Sequence, residues 1–331
     1  MHRRAPAFVA LVALAALAAS GLASPAHAVE PAPLQLQRAD YVDYGLILGG
    51  LAILGTSRLF GSPGTARLGP VYDASKPLAI LDPTFAGKIG KPYAEEGAGE
   101  LVSVNAATVG VAAVFGVLGA AAFAHQLAGD AYGGRGTHDA VVGFAEGALL
   151  TLGLTELLKP VVGRLRPDFA DRARRYHCHP PAGEVALPDS ECQGVQPLAA
   201  TDADKRHLID DGRKSFPSGH SAMSMFAATY AVGWIGGRYV WGEQATDTSR
   251  AIGLLAGGLL LTTAGFVATS RFDDGRHNLT DIVAGAGLGV AMASFSYWRR
   301  FDGRGRPRRL DGATSASLDL QGRGLSLRVA F

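Results

Sequence analysis

The sequence predicts an all-α fold, a six-helix bundle that crosses a membrane. Three observations predict it. Six apolar segments, at 44–60, 104–125, 140–158, 221–237, 251–269 and 281–298, include several near the ~20 residues that span a bilayer. Charged residues are only 18% of the 331, against about 25% in an average globular chain. Glycine occurs 44 times, about double its usual ~7% share, which suits helices that touch through small residues. The same numbers exclude intrinsic disorder, a coiled coil and a disulfide-dense mini-protein, and the absence of a three-residue glycine period excludes collagen. Lys and Arg number 31 against 29 Asp and Glu, so the net charge is +2, without the basic excess of a nucleic-acid protein. A mean hydropathy of +0.15 is modest for six spans, and a soluble helical core is the alternative for the same segments.

In chain order, residues 1–28 come first. Arg3 and Arg4 precede an apolar run from Ala5 to Ala23, and Ala26-His27-Ala28 is a small-x-small pattern. This reads as a secretory signal cut after Ala28; an uncleaved membrane anchor is the alternative, and both imply export. Residues 29–298 form the helical domain. Segment 104–125 is its cleanest apolar run, whereas Glu146 and Glu156 interrupt 140–158. Two polar stretches separate the helices. One, 61–100, is rich in Pro and Gly and reads as an irregular excursion. The other, 164–217, carries many charges and the two cysteines, Cys178 and Cys192. In an oxidising compartment these two would close a disulfide, contributing about 3 kcal/mol for a loop of that size. They lack His partners at metal spacing, so a zinc site is rejected. Residues 299–331 form a tail that begins with Arg299, Arg300, Arg304, Arg306, Arg308 and Arg309 and ends in SLDLQGRGLSLRVAF, an alternating pattern about a Gly-Arg-Gly turn that predicts a hairpin.

Three motifs stand at the helix ends. The first runs from Lys159 to Pro167 and holds Lys159 and Arg166, seven apart. Pro160 and Pro167 predict that the helix ends here and that the loop curls both cations toward one point. The second is Ser215-Phe-Pro-Ser218-Gly219-His220-Ser221. Pro217 and Ser218 are helix-start residues, and a Ser hydroxyl with the Gly219 amide at a helix N-terminus makes an anion pocket beside His220. The third runs from Ser270 and Arg271 to His277 and Asp281. His277 and Asp281 are four apart, which predicts neighbours on one face of the sixth helix. A carboxylate bonded to one imidazole nitrogen would leave the other as a strong nucleophile. Each motif alone also fits an ordinary role: cations snorkelling at an interface, a helix cap with a surface His, a structural His–Asp pair. Together they supply three cations, a Ser–Gly helix start and two histidines on one side of the bundle, a set suited to neutralising a phosphoryl group in transfer.

The pattern KxxxxxxRP, PSGH and SRxxxxxHxxxD resembles the signature of the type 2 phosphatidic acid phosphatase superfamily, whose fold is shared with the vanadium haloperoxidases. The stretches GRLRPDF, DGRKSFPSGHSA and SRFDDGRHNLTDIVAGAGLG are similar to its lipid phosphate phosphatase branch. The resemblance covers about 100–298. It implies that His277 attacks phosphorus, that Asp281 orients His277, and that His220 protonates the leaving oxygen and then activates water. It implies that Lys159, Arg166, Ser218, Gly219 and Arg271 hold the phosphoryl oxygens, with neither metal nor cofactor. The substrate implied is a lipid phosphate monoester such as phosphatidate, or a lipid pyrophosphate, taken from a membrane; no nucleic-acid partner is expected. The alternatives are a vanadium-dependent haloperoxidase and a non-enzymatic membrane protein that grips anionic lipid.

The basic tail belongs on the cytoplasmic side. Six spans counted back from it put both long polar stretches and all three motifs outside, facing a periplasm across a bacterial inner membrane. That count leaves 29–43 inside, whereas a cleaved signal leaves it outside. Three arrangements reconcile them: 44–60 does not span, the signal persists as an anchor, or the whole body is periplasmic or outer-membrane associated.

Overall fold

A computed structural model describes residues 38–59, 133–195, 201, 205, 209–243, 245–273, 275–308, 316–321 and 324–329. The helices bounded within these residues are α1 Arg38–Leu59, α2 Gly133–Val162, α3 Phe169–Cys178, α4 Gly219–Ile235, α5 Asp247–Asp273 and α6 Leu279–Trp298. Five of them coincide with predicted apolar segments. The sixth predicted segment, 104–125, lies outside the described residues, as do the leader at 1–28 and the excursion at 61–100. Helix α3 was not predicted, because its charged sequence FADRARRYHC sits inside the polar stretch.

Helix α4 is the centre of the bundle, in contact with α2, α5 and α6, while α1 packs on α2. Its composition explains this position. It carries apolar or small residues around its whole circumference, and Ala222, Phe226, Ala227, Ala228, Tyr230, Ala231 and Trp234 are all buried; a helix apolar on every side belongs in an interior. Phe144 of α2 packs on Phe226 at 5.2 Å and edge-on to Tyr230 at 5.5 Å between ring centroids. Tyr297 of α6 and Phe301 beyond it stack at 5.0 Å. The Tyr230 hydroxyl, carried into this core, donates to the carbonyl of Ala140 at 3.0 Å, as a buried phenol must.

Helices α4 and α6 meet backbone to backbone. A methyl group on Gly285 would collide with the carbonyl of Ser218, and one on Gly289 with the carbonyl of Ala222. The four-residue spacing of these glycines places both on one face of α6 and draws the start of α4 against the start of α6.

Three helices, at His138–Val162, Asp247–Phe272 and Leu279–Trp298, are long and apolar enough to cross a membrane. The outward faces of α5 and α6 agree: Leu255 is 75% exposed, Phe266 66% and Val283 62%. Helix α6 ends at Trp298, and the chain stays packed on the bundle just past it. Arg299 and Arg300 turn inward to Asp43 of α1 and Glu146 of α2 rather than joining a basic tail. Burial of two carboxylates between the helices requires such partners. The predicted interruption of 140–158 by Glu146 is thus an internal ion pair. Farther on, β1 (Ala316–Gln321) and β2 (Gly324–Val329) pair antiparallel, Gln321 opposite Gly324.

Candidate active site

The site is assembled where α2 ends and α4 and α6 begin. Helix α2 runs through Pro160 to Val162, and Gly163 stops it with φ +60° while its N–H bonds the carbonyl of Lys159 at 2.9 Å. Only glycine adopts this left-handed turn without strain. Lys159 is thereby left on the last turn of α2. Arg166 lies in the irregular segment that follows, where its N–H reaches the carbonyl of Gly212 at 2.8 Å and Ser215 N–H reaches the carbonyl of Arg164 at 3.0 Å. These two bonds bring the first two motifs alongside each other across nearly 50 residues.

Ser218 is the N-cap of α4. Its hydroxyl accepts from Ser221 Oγ at 3.0 Å and from Ser221 N–H at 3.4 Å, so its own proton remains for an anion. Its N–H is taken by the Asp281 carbonyl at 3.0 Å. The next two amides, of Gly219 and His220, open the helix and have no intrahelical acceptor by geometry. A methyl group on Gly219 would lie 3.6 Å from Lys159 Nζ, so the cation stands directly over the amide cradle.

Positive charge converges on both histidines. His220 has its pKa lowered to about 4 by burial, then by the charges of Arg271, Lys159 and Arg166. His277 is held well below the ordinary range, first by burial and then by Arg166, with His220 and Lys159 adding to it. Both rings are therefore neutral at pH 7, and Lys159, Arg166, Arg271, His220 and His277 form one cluster. Arg271, 3% exposed, closes α5, and its carbonyl accepts the N–H groups of Arg276 and His277 at 3.1 and 3.3 Å. This turn carries His277 back into the site.

The third motif departs from the predicted geometry. His277 precedes α6 instead of lying on it, because Asn278 caps the helix and Asp281 is its third residue, paired in a capping box. Asp281 Oδ2 consequently accepts from Asn278 N–H at 2.8 Å and from Ser215 Oγ at 2.5 Å, and stands 3.9 Å from His277 Nδ1, too far for a hydrogen bond. The expected imidazole–carboxylate bond is replaced by a 2.7 Å bond from His277 Nδ1 to the carbonyl oxygen of Ser215. A carbonyl only accepts, so Nδ1 carries the proton and Nε2 keeps its lone pair.

Several groups around the site escaped the sequence reading. Arg164 Nη1 donates to Asp281 Oδ1 at 3.0 Å and to Thr280 Oγ1 at 2.5 Å. Arg166 is held by Asp211, through Nη2 to Oδ1 at 2.8 Å and Nε to the carbonyl at 3.0 Å. Asp211 also meets Arg172, which pairs with Asp168, and Asp168 meets Arg276. Glu156 holds Lys159 at 2.5 Å. The stretches GRLRPDF and DGRKSFPSGHSA contain Arg164, Asp168 and Ser215, so their motif context was the available signal. Cys178 and Cys192 are joined in a disulfide that ties the end of α3 to the following loop. Among the described residues, no group of three or more His, Cys, Asp or Glu is placed to hold a metal ion.

Residues 140–304 match the PAP2 superfamily. Over 167 residues, half of this chain and 48% of the relative, the sequence is 31% identical to probable lipid phosphate phosphatase 4 of Arabidopsis thaliana. It is 34% identical to diacylglycerol pyrophosphate phosphatase 1 of Saccharomyces cerevisiae over 44% of this chain and 46% of that one. A probable diacylglycerol pyrophosphate phosphatase 1 of Schizosaccharomyces pombe is 31% identical over 44% of this chain and 47% of its own length. The chain spans about half the length of the curated relatives it matches, and no solved structure matches it. The matched region holds all three motifs and the helices that bring them together, and through it the chain belongs to the PAP2 superfamily.

Proposed function

We propose that this protein is a membrane phosphatase that hydrolyses a lipid phosphate monoester or a lipid pyrophosphate through a phosphohistidine at His277. The observation that carries the reading is the cluster at the start of α4. A neutral His277 with its proton on Nδ1 stands with His220 among Lys159, Arg166 and Arg271. Names of the relatives, lipid phosphate phosphatase and diacylglycerol pyrophosphate phosphatase, support the substrate class.

In the first step, the Nε2 lone pair of His277 forms a bond to phosphorus as the bond to the leaving oxygen breaks. The three cations, the Ser218 hydroxyl and the Gly219 amide take up the charge spreading over the phosphoryl oxygens. His220 gives its proton to the leaving oxygen. An empty site keeps His220 neutral, but a phosphate dianion cancels the surrounding cationic field and so raises its proton affinity. In the second step His220 takes a proton from water, the water oxygen attacks phosphorus, and the P–N bond breaks to restore His277. The cations do the electrostatic work that a metal would otherwise supply.

The active end faces an oxidising compartment, the periplasm in the inner-membrane reading. Supporting this, the disulfide at Cys178–Cys192 begins only a short helix beyond Arg166 and Pro167, and disulfides persist where the surroundings oxidise. Arg304, Arg306 and Arg308 lie beyond the opposite end of α6, which fits a cytoplasmic end.

The test is phosphate release from phosphatidate and from diacylglycerol pyrophosphate by the purified chain in mixed micelles. His277→Ala and His220→Ala should abolish release while the variants still fold, and acid-quenched wild-type enzyme should carry base-stable label on histidine. Near wild-type turnover by either variant would refute the reading.

A further inference from the structure

We propose that Ser215 and Arg164 are positioning residues for His277, and that Asp281 acts on the nucleophile through the Ser215 backbone rather than through a bond of its own. The inference rests on the phosphatase reading of the site and adds to it two residues to which the motif signature assigns no role.

The Asp281 carboxylate is completely buried. It receives four donors: Ser215 Oγ at 2.5 Å, Asn278 N–H at 2.8 Å, Asn278 Nδ2 at 3.2 Å and Arg164 Nη1 at 3.0 Å. Three of the four converge on Oδ2, which has about two lone pairs, while Arg164 takes Oδ1. Oδ2 is the oxygen that faces His277 Nδ1, and it is already occupied, consistent with the 3.9 Å gap. Ser215, also fully buried, is fixed at three atoms. Its N–H is held by the Arg164 carbonyl at 3.0 Å, its hydroxyl by Asp281, and its carbonyl receives His277 Nδ1 at 2.7 Å.

One residue from each motif segment therefore meets at Asp281: Arg164 from the end of α2, Ser215 from before α4, Asn278 from the start of α6. The bonds span 66 and 117 residues of chain. Their effect at His277 is specific. The carbonyl fixes which nitrogen carries the proton and which way the ring faces, and so aims Nε2 at phosphorus. When the N–P bond forms, the ring becomes a cation; its proton stays on Nδ1, donated to the Ser215 carbonyl, with the Asp281 charge one contact away.

The experiment uses the purified full chain with phosphatidate in mixed micelles. Ser215→Ala should lower kcat on the order of 10- to 100-fold, the scale of a small misplacement of a reacting group. KM and inhibition by inorganic phosphate should not change, since the cation cluster stays. Ser215→Thr keeps the hydroxyl and should recover turnover, which separates the role from general packing. Arg164→Gln should behave as Ser215→Ala does, with Arg164→Lys intermediate. The double variant S215A/D281N should be no slower than the slower single variant, because both act along one path. Losses that multiply would show a direct Asp281–His277 coupling and overturn the proposal. Nitrogen-15 NMR of labelled histidine reads the ring without turnover: Nδ1-protonated His277 is expected in the wild type, and a tautomer mixture in Ser215→Ala. If no substrate is turned over but this change occurs, the phosphatase reading fails and the positioning stands. If turnover needs His277 and His220 but Ser215→Ala matches wild type in rate and tautomer, the positioning fails alone.

Discussion

Gly289 of α6 lies so close to Ala222 of α4 that no side chain fits between them; an added methyl group would strike the Ala222 carbonyl and come within 2.8 Å of Phe226 N. Both neighbours are backbone, so neither can swing aside. Gly289→Ala should therefore destabilise the protein by at least the ~1–3 kcal/mol of ordinary overpacking, read as a lower thermal midpoint in detergent. Gly287→Ala, two residues earlier with open space around it, is the control and should leave the midpoint unchanged or slightly raised. Equal behaviour of the two variants would refute the close helix contact.

The cation cluster predicts a difference between charge and shape. Arg271 is almost fully buried at the site and acts on His220. Arg271→Lys keeps the charge but loses the planar fork that matches phosphoryl oxygens. Its kcat/KM should fall by roughly 10- to 1000-fold, the range for removing a stabilising donor from a reacting oxyanion. Inorganic phosphate should inhibit it more weakly. Steady-state kinetics with phosphatidate and a phosphate inhibition series measure both.

The lowered histidine pKa values set a direction for acid stability. His220 titrates near 4 in the fold but near 6.5 when unfolded. Between those values the unfolded chain binds a proton that the folded chain does not, so stability falls as pH drops from 6.5 toward 4. His277 is shifted the same way and adds to the loss. Thermal midpoints should be lower at pH 5 than at pH 7.5. Replacing His220 with Gln should shrink that difference, and saturating phosphate should shrink it in the wild type.

The parts of this arrangement differed in how far the sequence revealed them. Helices α2, α4, α5 and α6 were legible because each is a long apolar run with capping or stop residues at its ends. Helix α3 was hidden by its charges, although Phe169, Ala173 and Tyr176 recur at helical spacing and pack on Ile209. The motif cations and histidines were legible from their spacing. The partner of His277 was not, since Ser215 acts through a backbone carbonyl, which any residue type possesses. Arg164 looked like one more basic residue, because its partner Asp281 lies 117 positions away. Spacing of four between His277 and Asp281 suggested a direct pair, but the Asn278 cap places the helix start between them.

The disulfide gives a test of sidedness. Cys178 and Cys192 are the only cysteines and are bonded to each other. Intact cells treated with a membrane-impermeant thiol reagent should show no labelling until an impermeant reductant is added, and then labelling at both positions. Labelling that appears only after lysis and needs no reductant would put the active end on the reducing side.

The far end of the bundle separates stability from catalysis. Arg300 is completely buried and pairs with Asp43 at 3.0 Å and Glu146 at 2.5 Å, while Arg299 meets the same two carboxylates. These contacts fasten α1, α2 and the end of α6 together. Replacing Arg300 with Met leaves two buried carboxylates with one remaining arginine, and breaking such a pair costs about 3–5 kcal/mol. The thermal midpoint should fall steeply. Turnover should not, because α6 is 20 residues long and holds Arg300 about 30 Å from Asp281. The folded fraction of Arg300→Met at low temperature should show wild-type kcat and KM. Asp43→Asn removes one of the two carboxylates and should give a smaller loss of midpoint with the same kinetics. A change in kcat at unchanged stability in either variant would mean that the two ends of α6 are coupled, contrary to the separation argued from their geometry.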